Sequence, residues 1–253
     1  MIKNERQQQI LNILQQTNYA SVDQLVQMTY SSPPTIRRDL TYLESQGYVT
    51  RNHGGVMLPQ KPSAFIPAEF RTSFNYKHKK VICKVAAKLL KDHMLIFIDE
   101  SSTTQFLIQY MKDFKDLTVI TNSLPVCNLL NRYNINFYCA GGQITHSNCF
   151  TGYQTEQFIR RYNADLCFFS SHAISQDGVI TDNSEAECYI TSAMIEQSRK
   201  SVYLCDESKA NRSSVYNLTT VDKIHKVFTT ASPESFTNVP EEKMVYISFD
   251  KNK

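Results

Sequence analysis

The sequence predicts an α/β protein in two parts, a small helical domain followed by a larger domain with a largely parallel sheet. Up to residue 45, apolar residues recur at helical spacing, and two short β-prone segments around a pair of glycines follow. A proline-containing segment with little periodicity comes next. From residue 77, helical segments alternate with short apolar strands, the pattern of a parallel sheet covered by helices. We therefore predict domains at 1–58 and 77–253, joined by a linker at 59–76.

The composition of the 253 residues favours a folded cytoplasmic chain. Hydrophobic residues make up 42% and charged residues 20%, which is enough apolar material for a core. The net charge is only +3, so any basic surface must be local. No apolar run approaches the ~18 residues of a membrane helix, and the polar N-terminus is unlike a signal peptide. Seven cysteines without a Cys-x-x-Cys pair predict reduced thiols, with no disulfide framework, metal site or cofactor.

Three helices and a hairpin are predicted in the first domain. The first helix, 4–16, repeats apolar residues at i, i+3 and i+4. Ser21 and Ser32 are suitable N-caps for the second and third helices. Short strands at 48–51 and 56–58 flank two adjacent glycines, which permit a tight hairpin turn. Three helices followed by such a hairpin form a winged helix-turn-helix.

The third helix has one apolar face and one face that suits DNA. Ile36, Leu40 and Leu43 lie at i, i+4 and i+7 and therefore share one side of the helix. Arginine is the side chain best suited to bidentate contact with guanine or a phosphate. The side chains that point away from the apolar side or flank it are the predicted DNA contacts of this helix: Pro34, Arg37, Arg38, Thr41 and Tyr42.

The second domain is predicted to be a sheet with helices on both faces. Its helices are expected at 77–91, 103–113, 124–132, 155–162 and 184–199. Its strands are expected at 94–98, 117–121, 135–140, 165–170, 201–205, 226–229 and 244–249. Ligands of such sheets bind beyond the carboxyl ends of the strands.

Polar residues and glycines collect at five of these strand ends and at the start of one helix. Taken singly, each has an ordinary explanation, such as a helix cap, a surface lysine or a core histidine. Together they suit a phosphorylated polyol, with hydroxyls and one lysine for the phosphate and carboxylates for the sugar hydroxyls. The predicted effector-binding residues are Asp99, Ser101, Ser102, Thr103, Thr104, Thr121, Asn122, Ser123, Gly141, Gly142, His172, Asp177, Glu185, Glu187, Asp206 and Lys209.

The segment TIRRDLTYLESQGYVTRNHGG resembles the N-terminal signature of the DeoR family of bacterial transcriptional regulators. The resemblance implies that the third helix enters the major groove and that the wing touches the DNA backbone or minor groove. It adds five predicted DNA contacts: Ser32, Thr35, Arg51, His53 and Gly54.

The strand-end motifs resemble the effector domain of the same family, which is similar in fold to ribose-phosphate isomerases and responds to sugar phosphates or related metabolites. The sequence departs from the family at two positions, because Ser101 and His172 stand where the family usually has glycine. Ser101 adds a Cβ in a loop that is expected to need unusual backbone angles or a close approach, and His172 adds bulk and a possible donor. We therefore expect a reshaped phosphate loop and a ligand that is not typical of the family.

The predicted function is transcriptional regulation, most simply repression of carbohydrate-metabolism genes that is relieved when a phosphorylated sugar binds. Because a single winged helix makes few base contacts, a homo-oligomer, dimer or tetramer, is expected on double-stranded DNA. Two alternatives remain open from the residues. The second domain could be a sugar-phosphate isomerase that uses Asp, Glu and Lys as acid and base, or its ligand site could be vestigial and the domain could serve only to oligomerise.

Overall fold

The computed structural model describes residues 3–17, 19–45, 48–52, 54–58, 71–72, 74–145 and 147–248. The chain divides into two compact units, Met1–Phe74, here called the head, and Asn75–Lys253, here called the body. Most of the predicted linker and the predicted DNA contact His53 lie outside the described residues.

The head contains the predicted three helices and hairpin. In chain order its elements are α1 (Lys3–Thr17), β1 (Tyr19–Ala20), α2 (Val22–Thr29), α3 (Pro33–Ser45), β2 (Thr50–Asn52) and β3 (Gly55–Met57). The strands form an antiparallel sheet in the order β1-β3-β2. Strand β1 was not predicted, since two residues directly after a helix give no alternation to detect. The winged helix-turn-helix is confirmed.

Local capping and a shared apolar core explain why these helices form and pack. The Ser21 hydroxyl accepts a hydrogen bond from the Gln24 backbone N–H at 3.1 Å, and the Ser21 N–H donates to Gln24 Oε1 at 2.8 Å. This reciprocal pair is a capping box that begins α2. The core is formed by fully buried side chains from all three helices, among them Ile10, Leu14, Leu25, Ile36, Leu40 and Leu43.

A buried carboxylate joins α1 to α3. Asp39 is almost completely buried and accepts hydrogen bonds from Arg6 Nε and, at 3.0 Å, from Gln7 Nε2. These bonds satisfy both carboxylate oxygens, which a buried charge requires. They also fix the orientation of α3, whose opposite face carries the predicted DNA contacts.

The body is built on a seven-stranded sheet in the order β15-β14-β12-β9-β4-β5-β6, and every pair of neighbours in it is parallel. Its strands are β4 (Leu95–Ile98), β5 (Thr118–Thr121), β6 (Asn136–Cys139), β9 (Leu166–Phe169), β12 (Ser201–Cys205), β14 (Lys226–Thr229) and β15 (Met244–Tyr246). The predicted parallel sheet is therefore confirmed.

Helices cover both faces of this sheet. They are α4 (Tyr76–Ala86), α5 (Leu124–Arg132), α6 (Tyr153–Ile159) and α7 (Glu185–Glu196). Successive residues of a strand point to opposite faces. Accordingly, Ile96 and Ile98 belong to one apolar cluster with α4 and α5, whereas Phe97 belongs to a second cluster with α6 and α7.

Two features of the body differ from the prediction. The helix expected at 103–113 is a 3₁₀ segment, Thr104–Tyr110, since hydroxyls at its start bond to the strand end and compete with a regular helical pattern. A second, antiparallel sheet in the order β10-β11-β13 was missed, as was the hairpin β7-β8. These strands are β7 (Gln143–Ile144), β8 (Phe150–Thr151), β10 (Ala173–Ile174), β11 (Val179–Asp182) and β13 (Tyr216–Thr220).

Candidate functional site

The outward face of α3 presents two arginines to solvent. Arg37 and Arg38 are exposed, and within the described part of the chain neither forms an ion pair. Thr41 is exposed beside them and donates its hydroxyl hydrogen to the Arg37 carbonyl at 2.9 Å. Pro34 and Tyr42 are also exposed, whereas Thr35 is half-buried and bonded to Ser32 through their hydroxyls at 2.8 Å. The face is therefore shaped to contact a polyanion.

The wing is held against α3 by its own polar groups. Arg51 Nη1 donates to Thr41 Oγ1 at 3.3 Å and lies 3.8 Å from Glu44 Oε2. A Cβ at Gly55 would lie 2.4 Å from the Ala20 carbonyl oxygen, so β1 can pair with the wing only if this position is glycine. Gly54 is exposed at the turn. The wing thus places Arg51 on the same side as the exposed arginines of α3.

In the body, the carboxylate of Asp99 organises the carboxyl end of β4. It is fully buried. Its Oδ1 accepts from the Ser101 hydroxyl at 2.7 Å and the Thr104 hydroxyl at 2.8 Å, and its Oδ2 accepts from the Ser170 N–H at 2.7 Å. Burial raises the pKa of Asp99 to about 6, although these hydrogen bonds oppose the shift. Asp99 therefore fixes the loops after β4 and β9 relative to each other.

The two departures from the family pattern fit without backbone strain. Neither Ser101 nor His172 has a positive φ, so neither side chain stands at a left-handed backbone position. Ser101 uses its hydroxyl to bond Asp99 and Thr104. His172 is exposed, and its N–H donates to Asp182 Oδ2 at 2.9 Å.

Two lysines meet the hydroxyls at this strand end. Lys209 Nζ donates to Ser170 Oγ at 2.6 Å and to Thr103 Oγ1 at 3.4 Å. Lys79 is only 4% exposed, and its Nζ donates to Ser102 Oγ at 3.0 Å. Two ammonium groups and three hydroxyls at the neighbouring ends of β4 and β9 form a site for an anion such as a phosphate.

The charges of both lysines act on the carboxylate of Asp206. Burial raises its pKa, but Lys209, Lys79 and the hydrogen bonds from Ser208 and Asn75 together outweigh burial and hold the pKa of the carboxyl below its usual value. Its Oδ1 also accepts from Asn75 Nδ2 at 2.9 Å and from the Ser208 N–H at 3.1 Å. Asp206 therefore stabilises the lysines and connects them to the start of α4.

Lys79 was not among the predicted site residues, but the sequence holds a signal for it. It lies at i, i+3, i+4 and i+7 with Ile82, Cys83 and Ala86, all three of which are fully buried. A lysine on the buried stripe of an amphipathic helix needs polar partners inside the fold. That position identifies it as a candidate site residue.

A cluster of carboxylates lies beside the lysine site. Glu100 and Glu187 are 8% and 6% exposed, and Cys149 Sγ donates to Glu187 Oε1 at 3.6 Å. Burial raises the pKa of Glu100 well above its usual value, and the nearby charges of Glu187 and Asp99 raise it further. Glu100 and Asp182 were not predicted as site residues. The signal for Glu100 is its place next to Asp99 at the end of an apolar strand.

The remaining predicted effector residues have mainly structural contacts. Thr121 Oγ1 accepts from the Ser123 N–H at 3.1 Å, and Ser123 caps α5 by accepting from the Val126 N–H. Asp177 lies in the turn between β10 and β11, where it accepts a hydrogen bond from Ser175. Glu185 is exposed in the first turn of α7.

Close packing explains why position 142 is a glycine. An added Cβ would lie 2.1 Å from Thr155 Oγ1 and 2.8 Å from the Thr151 carbonyl oxygen. Gly142→Ala is therefore expected to destabilise the body by about 1–3 kcal/mol, which thermal unfolding measures. Gly141→Ala is the matched control, because a Cβ there meets nothing within 4 Å. Equal unfolding temperatures for the two variants would refute this account.

The described residues hold neither a candidate metal site nor a candidate membrane-spanning helix. Among the described residues there is no group of three or more His, Cys, Asp or Glu side chains placed to hold a metal ion. In the same residues, no helix combines the length and the apolar character needed to cross a membrane. All seven cysteines are free thiols.

Two family models match the chain in succession. Residues 6–61 match the DeoR-like helix-turn-helix domain, and residues 74–231 match the DeoR C terminal sensor domain.

Whole-chain relatives match as well. The HTH-type transcriptional regulator GolR of Listeria innocua serovar 6a is 33% identical over 232 residues, which are 90% of this chain and 91% of the relative. The glycerol-3-phosphate regulon repressor of Haemophilus influenzae is 30% identical over 244 residues, 96% of this chain and 95% of the relative. Among solved structures, ribose 5-phosphate isomerase A from Methanocaldococcus jannaschii matches with a TM-score of 0.41 and 19% identity, over 56% of this chain and 55% of that one.

Proposed function

Because the chain belongs to the DeoR family of transcriptional regulators, we propose that it represses genes of carbohydrate metabolism and leaves its operator when a phosphorylated sugar or related metabolite binds the body. The observation that carries this proposal is the division of cations between the two units. Exposed arginines of α3 are available to DNA, whereas in the body the buried Lys79 and the half-buried Lys209 converge on hydroxyls.

The whole-chain relatives favour a sensor over an isomerase. Asp99, the central carboxylate of the strand end, is occupied by three neighbouring residues, Ser101, Thr104 and Ser170, and is therefore not free to exchange protons with a substrate. The relatives that match the whole chain are transcriptional regulators, and we propose that this chain is likewise not an enzyme.

A vestigial ligand site is also disfavoured. The lysine site retains two ammonium groups that cost free energy to bury unless they meet anions or strong acceptors. Ser101 and His172 fit without positive φ, so neither departure distorts the loops that carry them. These features support continued binding of an anionic ligand.

Ligand binding can reach the start of the body through α4. Asn75, the first residue of the body, donates to Asp206, and Lys79 one turn later donates to Ser102. His78 contacts Thr230 through its Nδ1 at 2.9 Å. A phosphate bound at the lysines would compete for these bonds and shift the first turn of α4. We propose that this shift changes the population of DNA-competent arrangements in a cytoplasmic homo-oligomer, dimer or tetramer.

The test uses the full chain, a fluorescently labelled DNA fragment from upstream of its own gene, and a panel of sugar phosphates with their unphosphorylated counterparts. At least one sugar phosphate is expected to raise the unfolding temperature and to release the DNA in an anisotropy titration. A ligand at 100 times its Kd stabilises by about 2.7 kcal/mol, so the shift is measurable. Turnover of a sugar phosphate would favour the isomerase, and DNA binding without any stabilising ligand would favour the vestigial site.

A further inference from the structure

Two buried oxygen atoms beside the lysine site have no hydrogen-bond partner among the described residues. They are Glu100 Oε2 and Asn122 Oδ1. Asn122 is fully buried, and its Nδ2 donates to the Phe150 carbonyl at 2.9 Å, which leaves Oδ1 as the free atom of the amide. A buried acceptor without a donor is destabilising. Asn122 Oδ1 can only accept, so the group that is missing beside it is a donor.

The two orphaned oxygens belong to one neighbourhood centred on Cys149. The Phe150 N–H donates to the Asn122 carbonyl at 2.7 Å, which places Asn122 directly beside the hairpin strand β8. Cys149 precedes this strand, and its thiol donates to Glu187 Oε1 at 3.6 Å. Burial raises the pKa of this thiol, and the charges of Glu100 and then Glu187 raise it further, which places both carboxylates close to it.

The charge at this end of the site is negative, whereas the other end is positive. The charged neighbours that act most strongly on Glu100 are Glu187, Asp99 and Asp182, all acidic. The lysine site begins only two residues further along the same loop, at Ser102. The loop after β4 thus joins a cluster that attracts a cation to a cluster that attracts an anion.

An ammonium group matches the negative end better than a hydroxyl does. It carries three donors and a positive charge, whereas a hydroxyl carries one donor and no charge. Without a cation, burial and the like charges of Glu187 and Asp99 oppose ionisation of Glu100. Resting on the proposed function, we infer that the effector is an amino-sugar phosphate, which binds with its phosphate at Lys79 and Lys209 and its ammonium between Glu100, Glu187 and Asn122.

The experiment compares matched ligands on the full chain by isothermal titration calorimetry. The pairs are glucosamine 6-phosphate with glucose 6-phosphate, and galactosamine 6-phosphate with galactose 6-phosphate. In at least one pair, the amino sugar is expected to bind at least about tenfold more tightly, a difference of about 1.4 kcal/mol. The comparison needs no variant, so it does not depend on a mutant that folds.

Glu100→Gln tests whether the carboxylate cluster around Glu100 causes the preference for the amino sugar. It preserves shape and removes the charge, so the ratio of the two affinities in the preferred pair is expected to fall to about one. Glu234→Gln is the control, since Glu234 lies at the surface in another part of the body, and it is expected to keep the ratio.

The outcomes separate this inference from the proposed function. Equal or weaker binding of the amino sugar in both pairs, with a neutral sugar phosphate still binding, overturns the inference and leaves the proposed function standing. An amino-sugar preference that survives Glu100→Gln also overturns the placement of the ammonium. Absence of binding by every sugar phosphate, amino or neutral, overturns both.

Discussion

Arg38→Ala is expected to abolish specific operator binding while the head stays folded. The side chain is exposed on the face of α3 opposite Ile36, Leu40 and Leu43, so it contributes nothing to the core. Loss of one bidentate contact to a base costs about 1–3 kcal/mol of specific binding, or roughly 10- to 100-fold for one head. Two heads on paired half-sites would multiply the losses. Fluorescence anisotropy with operator and unrelated DNA measures the effect.

The matching control for this prediction is Arg161→Ala. Arg161 is an exposed arginine next to α6 in the body, so its removal changes the net charge equally without touching the head. It is expected to bind the operator like the unaltered protein. Unchanged specific affinity in Arg38→Ala, with both variants showing the same unfolding temperature, would remove α3 from the recognition surface.

The sequence predicted those features of the fold that depend on local patterns, such as apolar periodicity and helix capping. The apolar stripe of α3 fixes which way Arg38 points, because side-chain direction in a helix follows from a period of 3.6 residues. The capping box at Ser21 is equally local. The strands of the large sheet were found from their continuous apolar runs. Their ends were placed to within one residue except at the last strand, which was predicted to run to residue 249 and ends at Tyr246, because strand ends carry little pattern.

What escaped prediction depends on contacts between residues far apart in the chain. The bonds from Arg6 to Asp39 and from Lys79 to Ser102 join segments whose separation no periodicity encodes. Gly142 was assigned to ligand approach, yet the atoms that crowd it include the Thr155 hydroxyl. The strands of two residues in β7, β8 and β10 are too short to show alternation.

The candidate ligand site also has features that local sequence predicts and features that depend on distant contacts. Hydroxyls and lysine after parallel strands could be assigned to one edge of the sheet from the chain order alone. How these side chains group together could not be predicted, because the grouping depends on Asp99, which fixes the loops after β4 and β9 to each other. The buried Glu100 was overlooked because a carboxylate is expected at the surface unless a partner is known.

Lys209→Ala is expected to weaken the response to the effector without weakening operator binding. Lys209 Nζ is bonded to Ser170 and Thr103 at the strand end and would bond a bound phosphate from the same position. A hydrogen bond to a charged group contributes about 1.5–3 kcal/mol. The effector concentration that releases half of the DNA is therefore expected to rise by roughly 10- to 100-fold, measured by anisotropy at fixed operator concentration.

Two further variants make this result interpretable. Lys91→Ala removes an exposed lysine of the body and is expected to leave the release curve unchanged. Removal of Lys209 takes away a cation that helps to hold the pKa of Asp206 down, so Lys209→Ala can lower the unfolding temperature. In that case the test is repeated with Lys209→Met, which keeps the side-chain volume. Equal loss of operator affinity and effector response would contradict the separation of DNA binding from ligand sensing, because Lys209 has no place on the α3 face. Loss of response alone places the phosphate at the lysine site.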